Sequence, residues 1–170
     1  MSYKIGIYGL GLLLCMSCQK NVFQADILGI LNTKETEVKV LDTYKQFGGF
    51  GEGFAWEEYS VSPEVVADFL YPTAKILPSK NTTNSNRWQK VNWMQGPPSE
   101  SLEELFLLCL SYEDGNEKIA KKIKELRELV TKQWVYYSFY YVPSLERPEV
   151  VQMFILDART KKIYAIESSV

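Results

Sequence analysis

The chain has 170 residues, with 19 basic and 21 acidic side chains, a formal net charge of −2 and no histidine. Without imidazole, Ser-His-Asp and Cys-His nucleophilic arrangements are excluded, as is any zinc site that depends on a histidine ligand. The slight acidity gives no electrostatic reason to bind nucleic acid or an anionic membrane surface.

The first residues, MSYK, carry a positive charge and lead into an almost unbroken apolar run from Ile5 to Met16. A helix of that length reaches only about 18 Å, well short of a hydrocarbon layer of about 30 Å. The run therefore reads as the core of a secretory leader and not as a membrane span. It ends in GLGLLLCMSCQKN, which offers Cys15 and Cys18. A cysteine behind a small residue at this place resembles a bacterial lipobox, in which the thiol is acylated and becomes the first residue of the mature chain. Cys18 stands behind Ser17 and fits, whereas Cys15 stands behind the bulky Leu14. The sequence departs from the family pattern in having Cys15 where leucine is usual.

The lipobox resemblance implies a leader over residues 1–17, a lipidated Cys18 and an address in the bacterial cell envelope. Gln19 in place of Asp favours, by resemblance to Gram-negative sorting rules, the outer membrane, with the domain facing the periplasm. The expected partner is then the membrane itself, through acyl chains whose buried methylenes each add about 0.8 kcal/mol of affinity. Residues 18–35 are expected to hold the anchor and a tether, with ADILGIL docking as one apolar turn. Residues 36–170 are expected to form a single domain, since about 150 residues suffice for one core.

Within that domain TEVKVLDTY reads as a strand, KQFGGFGEG as a glycine-rich connection and FAWEEYSV as the returning strand of a hairpin. Alternation places Phe54, Trp56 and Glu58 on one face of this strand and Ala55, Glu57 and Tyr59 on the other. Ser62 followed by Pro63 marks a helix start, and the helix should end near Tyr71, before Pro72. Residues 72–98 read as a long loop, in which Trp88, Trp93 and Met94 either pin the chain to the core or form a functional surface. Ser101 and Glu104 fit a capping box opening the helix LEELFLLCLSY, with Cys109 as a buried small hydrophobe. After a break at Asp114, Gly115 and Asn116, the residues Ile119, Ile123, Leu126 and Val130 recur at helical spacing, and interleaved lysines and glutamates mark a solvated opposite face.

The clearest strand signal comes last, in QWVYYSFYYV, EVVQMFILD and IYAIES, joined by short turns. In the first of these, Trp134, Tyr136 and Tyr140 share one face and Val135, Tyr137, Phe139 and Tyr141 the other, so neither face is polar. The class is α+β: an antiparallel sheet of about five strands with two or three helices packed on one face. The second face either displays its tyrosines to a protein or glycan partner or is covered by the long loop.

Chemistry narrows by elimination. Cys109 is the one thiol left once Cys15 leaves with the leader and Cys18 is acylated, so neither an internal disulfide nor a CxxC pair can form. The acids Asp42, Glu52, Glu57, Glu58, Asp157 and Glu167 are the candidates for an acid and base pair. Glu57 and Glu58 are adjacent in a strand and should point to opposite faces. GGFGEG lacks the GK[ST] and the following helix of a phosphate loop, and no kinase-type histidine loop accompanies it. Its glycines then serve the turn. No catalytic residue, metal or cofactor is expected, and the candidate binding surface comprises Phe50, Glu52, Phe54, Trp56, Tyr136 and Tyr140.

LDTYKQFGGFGEGF also resembles a D-T-x-G-G-F-x-G-x-G element of certain small uncharacterised bacterial proteins, many of them lipoproteins, which end in a strand similar to FILDARTKKIYAIE. The match rests on Asp42, Thr43, Gly48, Gly49, Phe50, Gly51, Gly53, Asp157 and Tyr164. It departs by extra residues before Gly48, by Glu52 where Asp is usual and by lacking a histidine often found there. The resemblance implies no activity and supports one domain over 36–170. The expected function is that of an envelope lipoprotein acting as a non-catalytic binding or assembly module. The alternatives are a periplasmic immunity or inhibitor protein and a carboxylate-based hydrolase, the last requiring two acids about 5 to 10 Å apart in a cleft.

Overall fold

Six strands form one antiparallel sheet in the computed structural model, which describes residues 21–47, 52–71, 88–112 and 115–169. They are β1 (Val38–Phe47), β2 (Gly53–Val61), β3 (Gln89–Gln95), β4 (Val135–Pro143), β5 (Pro148–Asp157) and β6 (Lys162–Ser169). The order across the sheet is β1-β2-β6-β5-β4-β3. Two antiparallel hairpin systems thus meet where β2 docks on β6, from Gly53 opposite Ser169 to Ser60 opposite Lys162. The central strands β2, β6, β5 and β4 are the aromatic and β-branched segments, because only they carry apolar side chains on both faces. The α+β class and the antiparallel sheet follow the sequence, with six strands where about five were expected.

The additional strand is β3, which falls in the segment read as a long loop. Its sequence, QKVNWMQ, is polar and pairs only with β4, with a register shift between Val91 and Met94. The opposite edge, β1, shifts register between Val40 and Asp42. Bulges and charged side chains on edge strands discourage pairing with further chains.

Helices cover both faces, which corrects the expectation of a single helical face. On one side α1 (Gln24–Leu31) and α2 (Pro63–Leu70) pack over Ala55, Tyr59, Tyr140, Phe154, Leu156, Ile163 and Ala165. On the other, α3 (Glu103–Leu110) and α4 (Glu117–Leu129) cover Phe54, Trp56, Tyr137, Phe139, Met153, Ile155 and Ile166. Strands apolar on both faces leave no other stable solution, since burying a large apolar side chain stabilises by about 1.5–3 kcal/mol.

In the stretch expected as a tether with ADILGIL docking as one apolar turn, that segment does dock, as the two-turn helix α1, and belongs to the core. Phe23, Ile27 and Ile30 recur along one helical stripe and are 0–1% exposed. Asn32, at φ 49°, ends α1 in the left-handed region. α2 starts as its sequence suggests: Ser62 Oγ accepts the Val65 N–H at 3.3 Å, and Pro63 occupies the first turn. α3 does not use the expected capping box. A 3-10 turn, Glu100–Leu102, precedes it, and Ser101 Oγ lies 2.9 Å from Ser99 Oγ. Asn116 caps α4 by accepting from the N–H groups of Lys118 and Ile119 at 3.0 and 3.4 Å. Gly115, at φ 78°, supplies the turn before it. Gly96 sits where β3 leaves the sheet: a Cβ there would lie 2.5 Å from the carbonyl oxygens of Val130 and Lys132.

Candidate functional site

Because strand side chains alternate, the consecutive acids of β2 straddle the sheet, as the sequence requires. Glu57 faces α1 and is 0% exposed. Its carboxylate accepts the N–H of Val22 at 2.9 Å and of Phe23 at 3.2 Å, the two amides immediately before α1. Lys45 Nζ stands 3.1 Å from the same Oε1 that holds Val22, and the Tyr59 hydroxyl donates to Oε2. Burial, and then the Glu57 carboxylate, push the Tyr59 phenol far above its ordinary range, so it stays a donor. Thus two backbone amides, a phenol and an ammonium surround one buried carboxylate, which satisfies most of its lone pairs.

Glu58 faces α4. Lys122 Nζ lies 3.0 Å from its Oε2 and Lys162 Nζ 2.6 Å from its Oε1. Burial alone would raise this carboxyl, but the hydrogen bonds from Lys162 and Lys122 outweigh it and hold the group below the usual carboxylate range. Lys122 also stands over the rings of Trp56, at 5.3 Å, and Tyr164, at 5.8 Å. Asp42 is the residue opposite Glu58 on β1, and it pairs with Lys118 of α4 at 2.8 Å. The two acids are therefore cross-strand neighbours, each paired with its own lysine of α4. A general acid needs a carboxyl that keeps its proton near neutral pH, and the lysines act on Glu58 in the opposite sense.

The remaining candidate acids are placed apart from this cluster. Asp157 holds the β5–β6 turn, accepting from the N–H groups of Arg159 and Thr160 at 2.9 and 3.3 Å and from the Thr160 hydroxyl at 2.7 Å. Glu167 accepts from the Gln152 side chain across the β5–β6 pair. Glu52 is exposed and borders a recess of about 330 Å³ with Leu108, Ser111, Tyr112 and Ser168. Among the described residues no group of three or more acids and cysteines is arranged to hold a metal ion. Cys109 is fully buried as expected, and burial pushes its thiol far up, so it is not a nucleophile.

The expected binding surface is not one surface. Phe54 and Trp56 are 1% exposed beneath α3 and α4, and Phe54 stacks on Tyr112 at 4.3 Å. Tyr136 and Tyr140 lie on the opposite face, the first packed edge-on against Phe69 of α2 at 5.3 Å and the second against Phe154 at 5.8 Å. Trp93 meets the same Phe69 at 5.0 Å, which makes it a peg of β3 on α2. Phe50 lies outside the described residues, together with Gly48, Gly49 and Gly51 of the glycine-rich connection.

A groove of about 530 Å³ lies between α3 and α4, which the sequence did not reveal. Phe106, Leu107, Leu110 and Val130 give it an apolar floor, and Glu100, Glu103 and Arg127 a charged rim. Leu107 is 55% exposed there. Arg127 Nε is fixed by donating to the Leu110 carbonyl at 2.5 Å, so the rim charge is oriented by the end of α3. The one legible signal was Leu107 itself, which falls off the buried stripe formed by Leu105, Phe106, Cys109 and Leu110.

No family model matches the chain, and neither a curated protein nor a solved structure is significantly similar to it.

Proposed function

We propose that this chain is an envelope lipoprotein, acylated at Cys18, whose domain is a non-catalytic binding or assembly module facing the periplasm. The anchor reading is supported by the charged start, the short apolar run and Ser17 before Cys18. The binding reading is carried by the groove between α3 and α4, where Leu107 is left exposed over an apolar floor with charges on both sides. An apolar centre inside a charged rim is the usual make-up of a surface that receives another protein. Its exposed apolar residue is the aliphatic Leu107, while the ring of Phe106 is buried, which suits a protein segment better than a glycan that would call for exposed aromatic faces. The non-catalytic reading is supported by the acids: Glu57, Glu58, Asp157 and Asp42 are each engaged in bonds that hold the fold together.

The test is a photo-crosslinking amino acid at position 107 of the full, natively processed chain, irradiated in intact cells. A discrete adduct that disappears when the exposed rim acids Glu100 and Glu103 are both replaced by lysine is expected. Absence of any adduct at 107, alongside a well-folded protein in the membrane fraction, would remove the binding assignment from this groove. In the same cells, labelling with a fatty-acid analogue is expected to survive Cys15→Ala and to be lost in Cys18→Ala.

A further inference from the structure

The chain outside the described residues leaves little distance between the anchor and the fold. Val22 is the fourth residue after Cys18, and its N–H is already bonded to the buried Glu57 at 2.9 Å. Four residues reach at most about 14 Å when fully extended. The headgroup layer of one leaflet takes about 5–7 Å of that reach. The chain does not loosen after Val22 either, because Phe23, 0% exposed, is locked beneath the sheet and α1 follows at once. A domain held this way cannot stand off from the bilayer by its own width.

Two exposed apolar side chains belong to the segments that meet at Glu57. Val22 is 44% exposed, and Phe47, at the end of the edge strand β1, is 63% exposed. Glu57 ties Val22 to β1: the oxygen that accepts the Val22 N–H also receives Lys45 Nζ at 3.1 Å. Phe47 follows Lys45 on the same face of β1, about 7 Å further along the strand. Its ring lies against Gly53, where a Cβ would come within 2.6 Å of Phe47 Cδ1, so the ring is propped on backbone and not folded into the core. On the far edge of the sheet the corresponding exposed apolar residue is Met94, at 36%.

We propose that the β1 edge bearing Phe47, together with Val22, rests on the bilayer that holds the acylated Cys18, so that the domain is seated on the membrane in one orientation. The inference builds on the anchor reading given above. An exposed ring next to an acyl anchor adds apolar area where the headgroups meet the chains, the depth at which amphipathic protein surfaces bind. The α3–α4 groove lies on the opposite face of the sheet from α1, so seating by the β1 edge keeps it open to the periplasm.

The experiment places a single environment-sensitive fluorophore at Phe47→Cys, at Val22→Cys or, as control, at Lys124→Cys on the exposed face of α4. Cys109 is buried and does not compete for the label. Natively acylated protein is reconstituted into phosphatidylethanolamine–phosphatidylglycerol vesicles that contain a lipid with a quencher near the headgroup. Labels at 47 and 22 should lose most of their emission, and the label at 124 should keep it. Acylated, vesicle-bound protein with equal emission at all positions would overturn the seating while leaving the anchor intact. Protein whose mass shows no acyl chains would overturn the anchor reading and the seating together.

Discussion

Two consecutive carboxylates, Glu57 and Glu58, are held by partners of different kinds, and the difference separates what builds this fold from what decorates it. Glu57 is fully buried and bonded to two backbone amides, of which that of Phe23 is buried with it. Glu58 is bonded to two lysines, whose ammonium groups reach in from the rim and whose side chains are 22% and 36% exposed. A carboxylate that accepts from backbone fixes the path of the chain; one that accepts from long flexible side chains adds charge balance. The first therefore sets where α1 begins, and through it how close the fold sits to residue 18.

Substitutions on the two sides should separate accordingly. Glu57→Ala strands the amides of Val22 and Phe23 and leaves Lys45 facing an empty apolar site, so a loss of about 3–5 kcal/mol is expected in urea unfolding. A loss under 1 kcal/mol would mean that water or another group satisfies those donors and that the contrast is wrong. Tyr59→Phe removes one donor from Glu57 and keeps the packing, and should cost about 1–2 kcal/mol by the same measurement. Glu58→Gln should cost the least, about 1 kcal/mol at neutral pH, because its partners regain water.

The Glu58 substitution also carries a pH signature. In the folded protein its carboxyl lies below the ordinary value of 4.5, so the stabilisation is complete above that value and disappears as pH falls through the folded one. Stability curves of the parent chain and of Glu58→Gln should therefore be separated at pH 7 and converge as pH falls below 4.5 and through the lowered value of the folded carboxyl. Parallel curves down to the lowest pH would show that the two lysines do not act on this group.

Much of the fold was legible because it follows from periodicity. The last three strands stand out through alternating aromatic and β-branched residues, and the opposite orientation of Glu57 and Glu58 follows from alternation alone. The strand QWVYYSFYYV, with no polar face, placed itself at the centre of the sheet but left two options for the second face, display of its tyrosines or cover by the long loop, and the structure covers it with α1 and α2. What covers the second side was less legible. Phe23, Ile27 and Ile30 lie on one helical stripe, but α1 has only eight residues with a glycine inside it, and the segment follows closely on the apolar run that reads as a leader. β3 escaped because an edge strand has few apolar residues to alternate, and its register shift breaks the pattern further. The contacts that make the site depend on distance in space: Val22 and Glu57 are 35 residues apart in sequence, and no local spacing links them. The α3–α4 groove is an arrangement of two helices, visible in one of them only as a leucine off the buried stripe.

The account depends first on the modification of Cys18, since the envelope role and the short reach to Val22 both start there. Mass spectrometry of the N-terminal peptide from natively produced protein tests it directly. A peptide that begins at residue 18 and carries the mass of acyl chains is the predicted result. An intact leader, or an unmodified thiol at position 18, would contradict it.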